Sequence, residues 1–124
     1  MIQQDSIIIK GTVQRGLGQG RQLGWPTANL TYEAVIPPPA PGVYAGWVDT
    51  QEKRYRAAII VGARPQNPPL VEAHILEFEG DLVGALITCT LVKFISALEE
   101  LKNNEALKNK ISRDIEAVKN CVMN

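Results

Sequence analysis

Residues 11–30 read GTVQRGLGQGRQLGWPTANL and bring together groups that could hold an anion next to a cation. Gly16, Gly18, Gly20 and Gly24 let backbone N–H groups approach a ligand closely, and Arg21 sets a guanidinium among them. A nest of that kind suits a phosphate. Thr27 then offers a hydroxyl oxygen and Asn29 an amide oxygen, both hard donors of the sort Mg²⁺ prefers. The common phosphate motifs do not fit: no lysine closes the run as a P-loop requires, and Arg21 displaces the third glycine of a dinucleotide fingerprint. The competing reading is a glycine-rich hairpin followed by a proline-stiffened turn at Pro26, since glycine clusters mark turns more often than sites. Trp25 fits either reading, as a stacking ring or as a wedge in that turn.

A second group lies further along the chain. If residues 70–79 form a strand, Glu72, His74, Leu76 and Phe78 share one face, and Val71, Ala73, Ile75 and Glu77 share the other. A carboxylate on an apolar face is rare unless it is paired or functional; the alternative is a glutamate in solvent at a barrel end. His74 is the only histidine and reads as a hydrogen-bonded structural residue. Glu77, Glu79 and Asp81 read as solvated charges around a turn. Arg64 either touches a ligand or lies on the surface.

The elements that must carry these residues are mostly strands. Residues 7–14, 28–32, 42–50, 55–61, 70–79 and 82–94 are short β-branched or alternating runs separated by turn residues. Pro37, Pro38, Pro39 and Pro41 exclude regular structure from the 33–41 connector. Residues 49–53 read as a polar turn and 62–69 as a loop. Gly80-Asp81 predicts a turn that joins 70–79 and 82–94 as a hairpin. Ser96 and Glu99 have capping-box spacing, which starts a helix at Ser96. Leu107, Ile111, Ile115, Val118 and Val122 form its apolar stripe, and Asn103-Asn104 marks a break in it. Strands followed by a single late helix predict a closed or nearly closed antiparallel barrel covered by that helix.

Composition narrows the function classes. At 124 residues the chain reads as one domain, 1–124, and 45% hydrophobic residues is a globular value. A formal net charge of zero gives no footprint for nucleic acid or an anionic membrane. Cys89 and Cys121 have no metal or redox spacing and read as reduced thiols. No stretch has the length of a membrane span, and the first residues lack a secretory pattern, so the chain reads as cytoplasmic.

The motifs, taken in order, resemble those of the riboflavin kinase (flavokinase) family, whose domain also occurs in bifunctional FAD synthetases. The similarity runs through Gly20-Arg21, Leu23-Gly24 and Pro26-Thr27-Ala28-Asn29, then Pro41-Gly42-Val43-Tyr44-Ala45-Gly46. It continues through Gly62-x-Arg64-Pro65, the Glu72-x-His74 strand with Gly80-Asp81, and Ile111-x-x-Asp114. The resemblance implies a closed six-stranded antiparallel barrel with a C-terminal helix. It also implies a monomeric enzyme acting on riboflavin and ATP, with Mg²⁺ accompanying the phosphoryl donor. In that scheme Gly16, Gly18, Gly20 and Arg21 hold the ATP phosphates, Thr27 and Asn29 serve both nucleotide and metal, and Glu72 is the catalytic base. Met1 stands just ahead of the first strand, so the kinase step alone is expected of the sequence as given.

The departures from the family pattern lie on the flavin side. Ile60-Val61-Gly62 stands where the family usually has an asparagine before Ile-Gly in the central strand, Pro65-Gln66-Asn67 where it has Pro-Thr-Phe, Val83 replaces a tyrosine, and residues 95–102 are short and lack the usual Arg-x-Glu and Lys-Phe. A non-catalytic flavin- or nucleotide-binding module of the same fold is the alternative reading.

Overall fold

Alternation of β-branched and small residues sets the architecture. In a computed structural model, residues 6–14, 27–50 and 53–123 are described. They form β1 (Ile7–Gln14), β2 (Ala28–Tyr32), β3 (Gly42–Thr50), β4 (Lys53–Val61), β5 (Val71–Ile75) and β6 (Leu86–Ser96), followed by helix α1 (Asn104–Asn120). The strands close into a barrel in the order β1-β2-β5-β4-β3-β6, with every neighbouring pair antiparallel. Closure gives each of the described strands a partner on both sides, which removes the usual route to edge-to-edge association.

The strands have two apolar faces. Ile9, Val13, Leu30, Val48, Ile59, Val71 and Ile87 point into the barrel and fill it. Val43, Ala45 and Ala58 point outward and are covered by Val118 and Met123 from the helical end of the chain. Gly46 shows how tightly β3 and β6 approach: a Cβ there would run into the Thr90 carbonyl oxygen. A register shift between Ala45 and Gly46 accompanies that approach.

Three expectations are corrected. First, β5 ends at Ile75 and is not in a hairpin with β6; it pairs with β2 and β4. Glu77 adopts φ 58°, a left-handed conformation that breaks the extended run, and Phe78 turns back to pack on the barrel core. Beyond it, Asp81 Oδ1 accepts from the Val83 N–H at 2.9 Å, while Gly84 and Ala85 exchange backbone hydrogen bonds with Val13. That docking sends β6 between β1 and β3.

Second, the helix starts at Asn104 rather than at Ser96. The cap is Asn103, whose side-chain oxygen accepts from the Ala106 N–H at 2.8 Å. The asparagine pair expected to break the helix therefore opens it. Third, Val122 is 82% exposed. Cys121 is extended (φ −75°, ψ 133°), so the helical phase gives way to alternation, and Cys121 and Met123 pack inward instead. The remaining stripe holds, with Ile115 and Val118 buried.

Arg56 on β4 ties α1 down. Its Nη1 donates to the carbonyls of Val118 at 2.9 Å and Cys121 at 2.6 Å, satisfying groups the helix end leaves open. The guanidinium also stacks over Trp47 at 5.2 Å from the ring centre. Charge-assisted bonds of this kind contribute about 1.5–3 kcal/mol each.

Candidate active site

The site forms where β2 meets β5 on the outer face of the barrel. Ala28 and Ala73 pair across the two strands and point inward, so their neighbours Asn29 and Glu72, also directly opposite each other, point outward. Facing pairs of this kind hold their Cβ atoms about 4.5–5.5 Å apart. β4 lies on the other side of β5 and pairs Ile60 with Glu72.

Over this face sits a cavity of about 420 Å³. Thr27, Ile60, Ala63, Glu72 and His74 form its floor, with Val43 at one side. Its outer wall is Leu98, Glu99, Glu100 and Leu101 from the β6–α1 connector, with Leu107, Lys110, Ile111 and Asp114 from α1. Apolar walls with a few convergent polar groups are the usual make-up of a small-molecule site.

The polar floor has an open demand for ligands. Thr27 Oγ1 and Asn29 Oδ1 are buried and have no hydrogen-bond partner among the described residues. Buried polar atoms are nearly always partnered, so two such oxygens at the start of β2 need an explanation. Both are hard neutral donors, and a divalent cation carrying phosphates would satisfy them. The residues present therefore fit Mg²⁺ in the place the sequence assigned to it.

Burial in this floor raises the Glu72 carboxyl above its ordinary value of 4.5, and the nearby positive charge of Arg64 partly opposes that rise. Arg64 lies in the 62–69 loop, which is closed by the Gly62 N–H bonding to the Leu70 carbonyl at 2.8 Å. The Tyr32 hydroxyl donates to the Pro69 carbonyl and ties the same loop to β2. His74 is buried in the cavity floor and keeps an interaction partner, in keeping with a structural role. Glu77, Glu79 and Asp81 are exposed. Cys89 is enclosed in the barrel, and burial pushes its thiol up to about 12, with the negative charge of Asp49 adding to the effect; it remains a protonated, inert thiol.

Thr27 and Glu72 thus line the cavity, and Asn29 pairs directly opposite Glu72. Gly16, Gly18, Gly20, Arg21 and Trp25 lie outside the described residues. Sequence reasoning missed Lys110, which is 6% exposed and bonds Asp114 Oδ2 at 2.7 Å and Ser96 Oγ at 3.0 Å. A Lys four residues from an Asp on a helix reads as a solvated pair; only the packed structure reveals that it is buried. Ser96 Oγ donates to Asp114 Oδ1 at 2.8 Å, and Glu99 lies 3.8 Å from Lys110 and 3.7 Å from Arg113. The two residues expected to cap a helix instead face charges on α1.

Comparisons with known proteins bear on the family and the fold. The family model described as Flavokinase: Riboflavin kinase matches residues 3–122. The bifunctional riboflavin kinase/FMN adenylyltransferase of Mycoplasma pneumoniae is 35% identical over 107 residues, covering 86% of this chain and 39% of that protein. The chain spans about two fifths of the length of such relatives. A crystal structure described as a macrolide-efflux protein from Streptococcus pneumoniae superposes with a TM-score of 0.84 at 27% identity, over 94% of this chain and 40% of that one. The riboflavin kinase of Trypanosoma brucei shares the fold, with a TM-score of 0.68 at 23% identity, over 94% of this chain and 81% of that one.

Proposed function

The chain belongs to the riboflavin kinase family, and from that premise we propose that it transfers the γ-phosphoryl group of ATP to the ribityl 5′-hydroxyl of riboflavin, giving FMN and ADP. The observation that carries this reading is an apolar-walled cavity lined by Glu72 and Thr27, with Asn29 opposite Glu72 and the Thr27 and Asn29 oxygens buried without a partner among the described residues. A flavin ring suits the wall of Leu98, Leu101, Leu107 and Ile111, and its ribityl chain reaches toward the polar floor.

Phosphoryl transfer asks for positioning, charge neutralisation and a base. Glu72 accepts the proton of the attacking hydroxyl as the new O–P bond forms and the bond to ADP breaks. Its raised affinity for a proton makes it a better base than a solvated carboxylate. Thr27 and Asn29 would hold Mg²⁺, which when bound offsets the charge of the transferring phosphates. Gly16, Gly18, Gly20 and Arg21 are assigned to the ATP phosphates from their sequence pattern. The unit is read as one domain over 1–124, a cytoplasmic monomer that needs neither nucleic acid nor a membrane. No helix among the described residues is long and apolar enough to cross a membrane.

The test is ADP release from Mg-ATP with and without riboflavin. Release that depends on riboflavin is expected. Equal release without it would point to water or another acceptor, and no release in either case would favour the binding-module alternative.

A further inference from the structure

Residues 97–103 leave β6 and form part of the outer wall of the cavity before α1 begins, yet they are neither helix nor strand. Side chains anchor their approach. Ser96, the last residue of β6, donates to Asp114 Oδ1 at 2.8 Å and accepts from Lys110 Nζ at 3.0 Å. Lys110 also donates to Asp114 Oδ2 at 2.7 Å, and Glu99 within the connector lies 3.8 Å from the same ammonium. Lys110 and Asp114 both line the cavity.

Lys110 is almost wholly buried, which is a costly way to place a charge. Apolar residues of similar volume often stabilise a fold as well as a buried ion pair does. What the pair supplies beyond stability is direction: two carboxylate oxygens, an ammonium and a hydroxyl define one position of the β6 end relative to α1.

We propose that Ser96, Lys110 and Asp114 are positioning residues that latch the 97–103 connector to α1 and so set the width of the cavity in which the phosphoryl acceptor lies. The role assigned to the acceptor rests on the riboflavin kinase reading; the latch itself does not. Freed from it, the connector occupies the closed position only part of the time. Apparent acceptor affinity then falls by the closed fraction, roughly tenfold if one molecule in ten is closed.

The test uses Lys110→Met combined with Asp114→Leu, which removes both charges and leaves neither alone, and separately Ser96→Ala, which keeps the ion pair. Trypsin cleavage after Lys102, followed by mass spectrometry on the ligand-free protein, reads the latch directly. The riboflavin KM, kcat and Mg-ADP affinity read its consequence. The expected result for both variants is faster cleavage after Lys102 and a raised riboflavin KM, roughly tenfold in the double variant, with kcat within a few-fold and Mg-ADP affinity unchanged. Ser96→Thr, which keeps the hydroxyl, should restore both readouts. Wild-type cleavage in Ser96→Ala overturns the latch, even if the double variant does not fold. Faster cleavage with an unchanged riboflavin KM overturns its role in positioning the acceptor. Failure of the wild-type protein to phosphorylate riboflavin overturns the kinase reading and, with it, the acceptor role, while the cleavage result still decides the latch.

Discussion

Replacing Glu72 by glutamine is expected to lower kcat by roughly 10²–10⁴-fold, the range for loss of a positioned general base. The amide keeps the size of the side chain and its place opposite Asn29, so riboflavin and nucleotide affinities should change little. What it loses is the ability to take the hydroxyl proton. Glu72 must be ionised to act, and burial raises its proton affinity, so activity falls as pH drops through a value above the ordinary 4.5. The acid limb of kcat/KM reports this group in the free protein. Arg64 opposes the rise, so Arg64→Gln should move that limb to higher pH. A near-normal kcat in Glu72→Gln would remove this residue from the mechanism.

Chelation of divalent cations is expected to abolish turnover, and replacing Thr27 should reproduce part of that loss. Thr27 Oγ1 is buried with no hydrogen-bond partner among the described residues. Thr27→Val removes that atom at nearly constant volume. The free protein should therefore melt at the same temperature or higher, because deleting an unsatisfied buried group is neutral or favourable. Mg-nucleotide affinity should fall roughly tenfold or more, about 1.4 kcal/mol, while flavin affinity changes less. Calorimetric titration of each ligand, beside a thermal melt, separates these effects. Equal turnover in excess EDTA, or unchanged Mg-nucleotide affinity in the variant, would contradict the metal assignment.

Much of the barrel was legible from the chain because strand patterns are local. Ile7–Gln14 and Ala28–Tyr32 carry their burial in their own alternation, while Gly42–Thr50, covered on both faces, shows itself as a β-rich run between turn residues. The misread stretches are those where a local signal has two physical uses. Gly80 marks only a bend: Glu77 had already broken β5, the turn falls at Val83-Gly84, and the segment docks on Val13, so no hairpin forms. Ser96 and Glu99 stand at capping-box spacing, yet distant charges on α1 claim both side chains, and Asn103 caps the helix instead.

The site followed the same division. Periodicity put Glu72 on the face of Leu76, and both do lie outside the barrel on the side that α1 covers. Its placement opposite Asn29 depends on the register of β2 against β5, a long-range property that no window of sequence contains. Lys110 was invisible for a related reason: on a helix wheel it is a solvent residue until the β6 end packs against it.

The central claim is that this cavity makes FMN. The direct measurement is incubation of the protein with riboflavin and Mg-ATP, followed by chromatographic separation of the flavins and of the nucleotides. Conversion of riboflavin to FMN with one ADP formed for each FMN is expected. Bound riboflavin recovered unchanged, with no FMN after prolonged incubation, would contradict it and leave a flavin-binding module with the fold of a kinase.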